Sequence, residues 1–291
     1  MFDLRYHVAS LAAVFLALII GILVGVGISD RGLVDSAKTK FLQDEVASLQ
    51  KRLDNQATQS TDRARERQAM QTFVNETYPT LVRNRLKHKQ IAVVFVGSVD
   101  PGLRSAVTGA LTDSGAEQLR LRALKVPLDL RHVESALKNQ PAAAGLRGKA
   151  NLEALGRALG EELATGGDTP LWNSLSDLVE EQSGGNKAPA DGVVVARTAT
   201  PQHAATARFV LGLYEGLASA NVPAVGVERS DSPNSATQVY RQSGLSSIDD
   251  IDTKVGQLAL VWLLQGASPG QYGVKDSAGD GALPPVPVPG G

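Results

Sequence analysis

From Val8 to Ile28 the chain runs for 21 residues without a charge, and Ser10 is the one side chain there with a polar group. A helix of that length covers roughly 30 Å, the thickness of a bilayer's hydrocarbon core. No other feature limits the fold so strongly, because residues 8–28 read as a transmembrane helix and the rest must fold outside the hydrocarbon. Cleaved signal peptides carry a shorter apolar region, about 7–15 residues, and a small-x-small cleavage site. This run is longer, and Gly25-Val26-Gly27-Ile28 matches such a site poorly, so the segment reads as a retained anchor.

The flanks agree with an anchor. Residues 1–7 form a short flank ending in Arg5, Tyr6 and His7, and Ser29, Asp30 and Arg31 follow the run. The orienting charge bias is small: Asp3 offsets Arg5, while Asp30 and Asp35 oppose Arg31, Lys38 and Lys40. We read the short N-terminus as inside, giving a single-pass protein of the cell membrane or envelope with its bulk extracytoplasmic. Gly21 and Gly25 lie one turn apart, a spacing that lets membrane helices pack backbone to backbone, though glycine is also common in such helices for other reasons.

The opening Phe2-Asp3-Leu4-Arg5-Tyr6-His7-Val8-Ala9-Ser10-Leu11, continuing through Gly21-Ile22-Leu23-Val24-Gly25, resembles the start of the actinobacterial MctB family. Its members are labelled copper transport outer-membrane proteins. The resemblance extends to about residue 275, with a second point of likeness at Gln271-Tyr272-Gly273-Val274-Lys275. It implies a role in copper transport, efflux or tolerance at the cell envelope. It transfers no set of metal ligands onto this chain.

Composition does not itself suggest copper. There are no cysteines, four histidines and two methionines, whereas soft metals want thiolate, thioether or imidazole. No cofactor is evident in the residues, and copper is implied by the resemblance alone. His7, His88, His132 and His203 are scattered, with no i, i+3 or i+4 pair between them. Asp249, Asp250 and Asp252 are the densest carboxylate group and fit a hard cation in principle; the plainer reading is two surface residues and a helix cap at Asp252. The net charge of −1 gives no drive toward nucleic acid.

Residues 29–89 read as a helical stalk. Leu42, Val46, Leu49 and Leu53 recur at spacings of 4, 3 and 4, a coiled-coil seam. The same phase then meets Gln56, Ser60, Arg63 and Arg67, so the repeat decays. A homo-oligomer joined through this seam and the anchor is one expectation; a single helix folded back on its own domain is the other. Arg83, Arg85, Lys87, His88 and Lys89 read as the solvated end of the helix, where cations suit the dipole.

Residues 90–275 read as an α/β sandwich domain with a parallel sheet. Ile91–Val96, Asp191–Ala196 and Val222–Val227 are apolar, β-branched runs typical of strands buried on both faces. Leu119–Leu124 reads as a further strand, with Leu119, Leu121 and Ala123 alternating with Arg120 and Arg122. Helices are expected at Leu103–Leu111, Pro201–Ala220 and Asp252–Leu264, with helical pieces between Asp129 and Glu181. Residues 276–291 are rich in Gly, Pro and Ala and read as a disordered tail.

Gly97-Ser98-Val99-Asp100-Pro101-Gly102 follows the first strand, where open α/β sheets bind ligands, and Gly97, Ser98, Asp100 and Gly102 form a possible ligand crevice. Its glycines have the phosphate-loop spacing, but Leu103 and Arg104 replace the Lys-Ser/Thr pair. An ordinary turn, with Asp100 capping a helix that starts at Pro101, explains the residues equally well. Gly266-Ala267-Ser268-Pro269-Gly270 has the G-x-S-x-G pattern, yet it follows a helix, and Pro269 has no N–H for an oxyanion.

The leading expectation is therefore a non-enzymatic, membrane-anchored envelope protein in the bilayer. The alternatives are a scaffold of envelope growth or division that binds a partner protein through anchor and stalk, and a degenerate α/β enzyme or small-molecule binder. One helix cannot enclose a pore, and the chain lacks the long alternating strands of a barrel, so a channel would require oligomers.

Overall fold

The computed structural model describes residues 4–28, 31–184, 187–197 and 201–286. It divides into a unit ending at Met70 and a compact unit beginning at Gln71. The first unit contains α1 (Leu4–Ile28) and most of α2 (Arg31–Val82). Within α1, the 21 residues His7–Gly27 are long and apolar enough to cross a membrane. A Cβ added at Gly21 or Gly25 would meet nothing within 4 Å. Leu42, Val46, Leu49 and Leu53 lie on α2 as expected, and all four side chains are exposed, as is Phe41 beside them.

In the second unit the last turns of α2 are not stalk. Tyr78 and Val82 are buried, and so is Leu86 just beyond the helix; they join a core with α3 (Pro101–Asp113) and α9 (Lys254–Leu264). The basic residues from Arg83 to Lys89 occupy a turn after α2 rather than its final turn. Lys89 Nζ donates to Asp191 at 3.2 Å, helping to tie that turn to the domain.

The chain continues through β1 (Gln90–Val96), α3, β2 (Glu117–Leu124), α4 (Leu130–Leu137), α5 (Leu152–Thr165), α6 (Pro170–Ser174) and β3 (Val179–Ser183). It then forms β4 (Gly192–Arg197), α7 (Ala204–Ala218), β5 (Ala224–Val227), α8 (Thr237–Gln242), β6 (Ser246–Ile248), α9 and β7 (Gln271–Tyr272). Among the described residues these strands make one sheet in the order β3-β2-β1-β4-β5-β6-β7. The sheet is parallel except at its edge, where β3 pairs antiparallel with β2. Alternation along β1 divides the core. Ala92, Val94 and Val96 face helices α4 to α8, while Ile91, Val93 and Phe95 face the end of α2, α3 and α9. Both faces are covered, which is why the strand sequences are continuously apolar.

Several expectations need correcting. Arg120 and Arg122, which alternate with apolar residues along β2, are buried, at 2% and 9% exposed. Their face of β2 lies under the α5–β3 segment instead of facing water. Asp249 and Asp250 are not on the surface, both being 0% exposed. The N-cap of α9 is Thr253, whose side chain accepts from Gly256 N–H at 2.9 Å; Asp252 instead accepts from Ser230 N–H and Oγ, each at 2.7 Å. Helix α7 starts at Ala204, so Pro201 lies ahead of its first turn. Part of the expected tail is ordered: Gln271 N–H donates to the Asp280 carboxylate at 2.7 Å, and Gly273 N–H to Gly281 O at 3.0 Å. Residues 287–291 of that tail lie outside the described residues.

Four glycines set the closest helix contact. Gly156 and Gly160 on α5 face Gly212 and Gly216 on α7. A Cβ on Gly156 would fall 2.8 Å from Leu213 N, and one on Gly212 would fall 2.7 Å from the Glu153 carbonyl carbon. Only glycine lets the two backbones meet at this distance, and Leu155, Leu159, Phe209 and Leu213 fill the core around the contact.

Candidate functional site

The helix after β1 packs on one face of the sheet and the helix after β4 on the other. The two strands are neighbours. Their carboxyl ends therefore diverge into a crevice at the topological switch point, the usual ligand position in such sheets. A cavity of about 330 Å³ opens there. Asp100 and Leu103 line it from the start of α3, Arg197 from the end of β4, and Arg229, Asp231, Ser232 and Pro233 from the loop after β5.

The residues singled out at this turn take distinct roles. Gly97 has φ 104°, a conformation that favours glycine, and its N–H donates to Leu124 O at 2.9 Å. Ser98 is exposed and does not line the cavity. Asp100 caps α3, accepting from Leu103 N–H at 2.7 Å, with Pro101 at the first helical position. Gly102 makes room for an arginine: a Cβ there would fall 2.5 Å from Arg229 Nη1. Arg104, at the second position of the missing Lys-Ser/Thr pair, forks instead onto Glu181 of β3 at 2.8 and 2.7 Å.

Charge in the crevice is partly cancelled. Arg229 makes two bonds of 3.0 Å to Asp231 and lies 3.8 Å from Asp100. The Asp100 carboxylate occupies the first-turn N–H that a phosphate would seek. Among the described residues of the lining, Arg197 is the cation for which no ion pair is formed. Neither carboxylate is placed as a free acid or base, and no lining side chain is a histidine. Among the described residues the lining supplies binding groups. Residues 198–200, directly after Arg197, lie outside the described residues.

The carboxylate group at residues 249–252 is a lock for the C-terminal segment. Asp249 accepts from Val274 N–H at 2.8 Å and from Lys275 N–H at 3.2 Å. Lys275 Nζ donates to Glu228 Oε1 at 2.9 Å and to Arg229 O at 2.8 Å. Gly273, with φ 140°, has no room for a Cβ, which would fall 2.5 Å from Asp249 Cγ. Gln271 donates to Leu245 O at 3.0 Å and accepts from Ser247 Oγ at 2.5 Å. The Gln271–Lys275 stretch is thus a strap across the carboxyl ends of β5 and β6. Asp250 Oδ2 accepts from Thr253 Oγ1 at 2.9 Å, while its buried Oδ1 has no hydrogen-bond partner among the described residues. Burial, ahead of its charged neighbours, pushes the pKa of Asp250 up, and burial does the same to Asp249.

Among the described residues no group of three or more His, Cys, Asp or Glu is placed to hold a metal ion. His132 lies 3.3 Å from Asp177, and His203 precedes α7. Gly266–Gly270 joins α9 to β7, so Ser268 sits on a helix-to-strand turn, with its carbonyl accepting from Tyr272 Oη at 3.0 Å.

An α/β domain with a switch-point crevice, on a chain carrying an N-terminal candidate span, defines a membrane-associated protein of the doubly wound type. The model of the family described as "Copper transport outer membrane protein, MctB" matches residues 1–284, and the chain belongs to that family. The family is one of copper transport proteins, not of enzymes. No curated protein sequence matches the chain significantly.

Proposed function

We propose that this chain is a non-enzymatic, single-pass envelope protein, with its α/β unit on the extracytoplasmic side, that serves copper transport or tolerance as a self-associating assembly. The observation that carries this reading is the anchor followed by an uncovered apolar seam. Leu42, Val46, Leu49 and Leu53 are exposed on α2, although each leucine buried between two helices would gain about 1.5–3 kcal/mol by transfer. Held in a membrane, copies of the chain meet at raised local concentration, so even a short seam suffices. The donor set favours copper as cargo of an assembly over copper as a resident group. The chain has no cysteine, and Met70 is its one methionine besides the initiator.

The test joins topology to phenotype. Protease added to spheroplasts should digest the α/β unit and leave the anchor, and crosslinking in membranes should capture dimers or higher species. A strain lacking the protein should lose copper tolerance and regain it with the wild-type chain but not with Leu49→Asp. A protected domain refutes the orientation, and a monomeric wild type refutes the assembly. Normal copper tolerance with defective growth or division would favour the scaffold reading, in which the same seam takes a partner protein.

A further inference from the structure

Beneath β2 and β3, away from the switch point, lies a second and larger cavity of about 600 Å³. Arg120 and Arg122 stand at alternate positions of β2 and both line it. Burying a guanidinium is costly unless its donors and its charge are met. Arg120 spends donors on structure: Nη1 bonds Leu163 O at 3.0 Å, in the last turn of α5, and Nη2 bonds Ala188 O. Arg122 does so only in part. Its Nη1 bonds Leu121 O at 2.8 Å and Ser183 O at 3.0 Å, while Nε and Nη2 donate to no described residue. Burial lowers the pKa of Arg122 with no carboxylate acting against it, and burial, followed by the charge of Arg122, lowers that of Arg120.

Two like charges are thus held side by side, and one of them presents unused donors to a cavity. The rest of the lining suits an anion. Asn173, Gln182 and Ser183 are polar and Lys187 is cationic. The acid in the lining, Asp168, is already bonded to Lys187. The net charge of the lining side chains is near +2. A planar guanidinium fork meets an oxyanion through paired N–H donors, and a cavity of this size holds a small organic molecule. Its polar lining excludes a lipid chain.

We infer that this cavity is a binding site for a phosphate dianion, free or carried on a small hydrophilic molecule, with Arg122 as its principal donor. The site is separate from the switch-point crevice and from the self-associating seam, and does not depend on the copper reading.

The experiment is isothermal titration of the full chain in detergent at fixed ionic strength and pH 8, using inorganic phosphate, glycerol 3-phosphate and succinate as probes. One saturable site per chain for a phosphate probe is expected. Tighter binding of glycerol 3-phosphate would point to an organic phosphate, and tighter binding of inorganic phosphate to the free ion. Arg122→Gln should weaken binding about tenfold or more, the loss expected for charge-assisted hydrogen bonds. Should that variant not fold, Gln182→Glu decides: Gln182 is exposed, lines the cavity and lies opposite Arg122 in the β2–β3 register, and a carboxylate there should weaken binding several-fold without disturbing the core. The inference is overturned if neither phosphate probe saturates, if succinate binds more tightly than both, or if Gln182→Glu binds as well as wild type.

Discussion

Gly156→Ala sets two physical effects against each other. Alanine favours a helix interior over glycine by about 0.5–1 kcal/mol, so local propensity predicts a more stable protein. Packing predicts the reverse. The new Cβ would fall 2.8 Å from Leu213 N, well inside the roughly 3.5 Å at which non-bonded carbon contacts rest. Leu213 N and the Phe209 carbonyl, the nearest groups, belong to the backbone of α7, which no rotamer change can move, so the helices must part by about an ångström. Overpacking of a closed core costs about 1–3 kcal/mol, and parting α5 from α7 also loosens Leu159, whose carbonyl accepts from Trp172 Nε1 at 2.8 Å. The net expectation is a loss of about 2 kcal/mol, or a fall of about 1 M in the urea midpoint at typical slopes. Trp172 and Trp262 are the only tryptophans and both lie in the α/β unit, so fluorescence of the full chain reads that unit. Gly109→Ala on α3 is the control: a Cβ there meets nothing within 4 Å, so propensity alone should raise the midpoint. Wild-type or greater stability in Gly156→Ala would refute the backbone contact between α5 and α7.

Leu49→Asp should abolish crosslinked dimers in membranes while the urea midpoint of the α/β unit stays unchanged; equal dimerisation would remove the seam. In competition with a chromophoric Cu(I) chelator the soluble part should bind copper weakly or not at all, and one tight equivalent would overturn the argument from the donor set. Asp250→Asn tests the buried carboxylate. Burial raises the folded pKa of Asp250 above its unfolded value, so the folded state holds the proton more firmly. Wild-type stability should then fall as pH rises from about 4. The variant should be the more stable at pH 8, with the difference shrinking toward pH 4, and a constant difference would refute this.

The fold was legible where one residue type does one job. Continuous Val, Ile and Ala announced β1, β4 and β5, and Asp100-Pro101 announced the start of α3. What was hidden depended on contacts between distant segments. Arg120 and Arg122 alternate as a surface strand does; their burial follows from α5 and β3, which the sequence shows only as broken helical pieces. Asp249 and Asp250 read as surface because their donors, Thr253 aside, lie about 25 residues away at Val274 and Lys275. The glycine spacing noticed at Gly21 and Gly25 recurs at Gly156 and Gly160 and at Gly212 and Gly216, where the close contact occurs. Of the turn residues expected at the crevice, Asp100 lines it, whereas Arg197 at the end of β4 and Arg229 in the loop after β5 carry no local signal.

The strap at Gln271–Lys275 bears on how the chain is made. Synthesis delivers the strap after strands β1 to β6. Glu228 and Asp249 are laid into the sheet before Lys275 exists to receive them. A product ending short of Lys275 would hold buried carboxylates without their donors, and breaking a buried pair in this way costs about 3–5 kcal/mol. Truncation ahead of Lys275 is therefore expected to leave the α/β unit markedly less stable than the chain that keeps the strap.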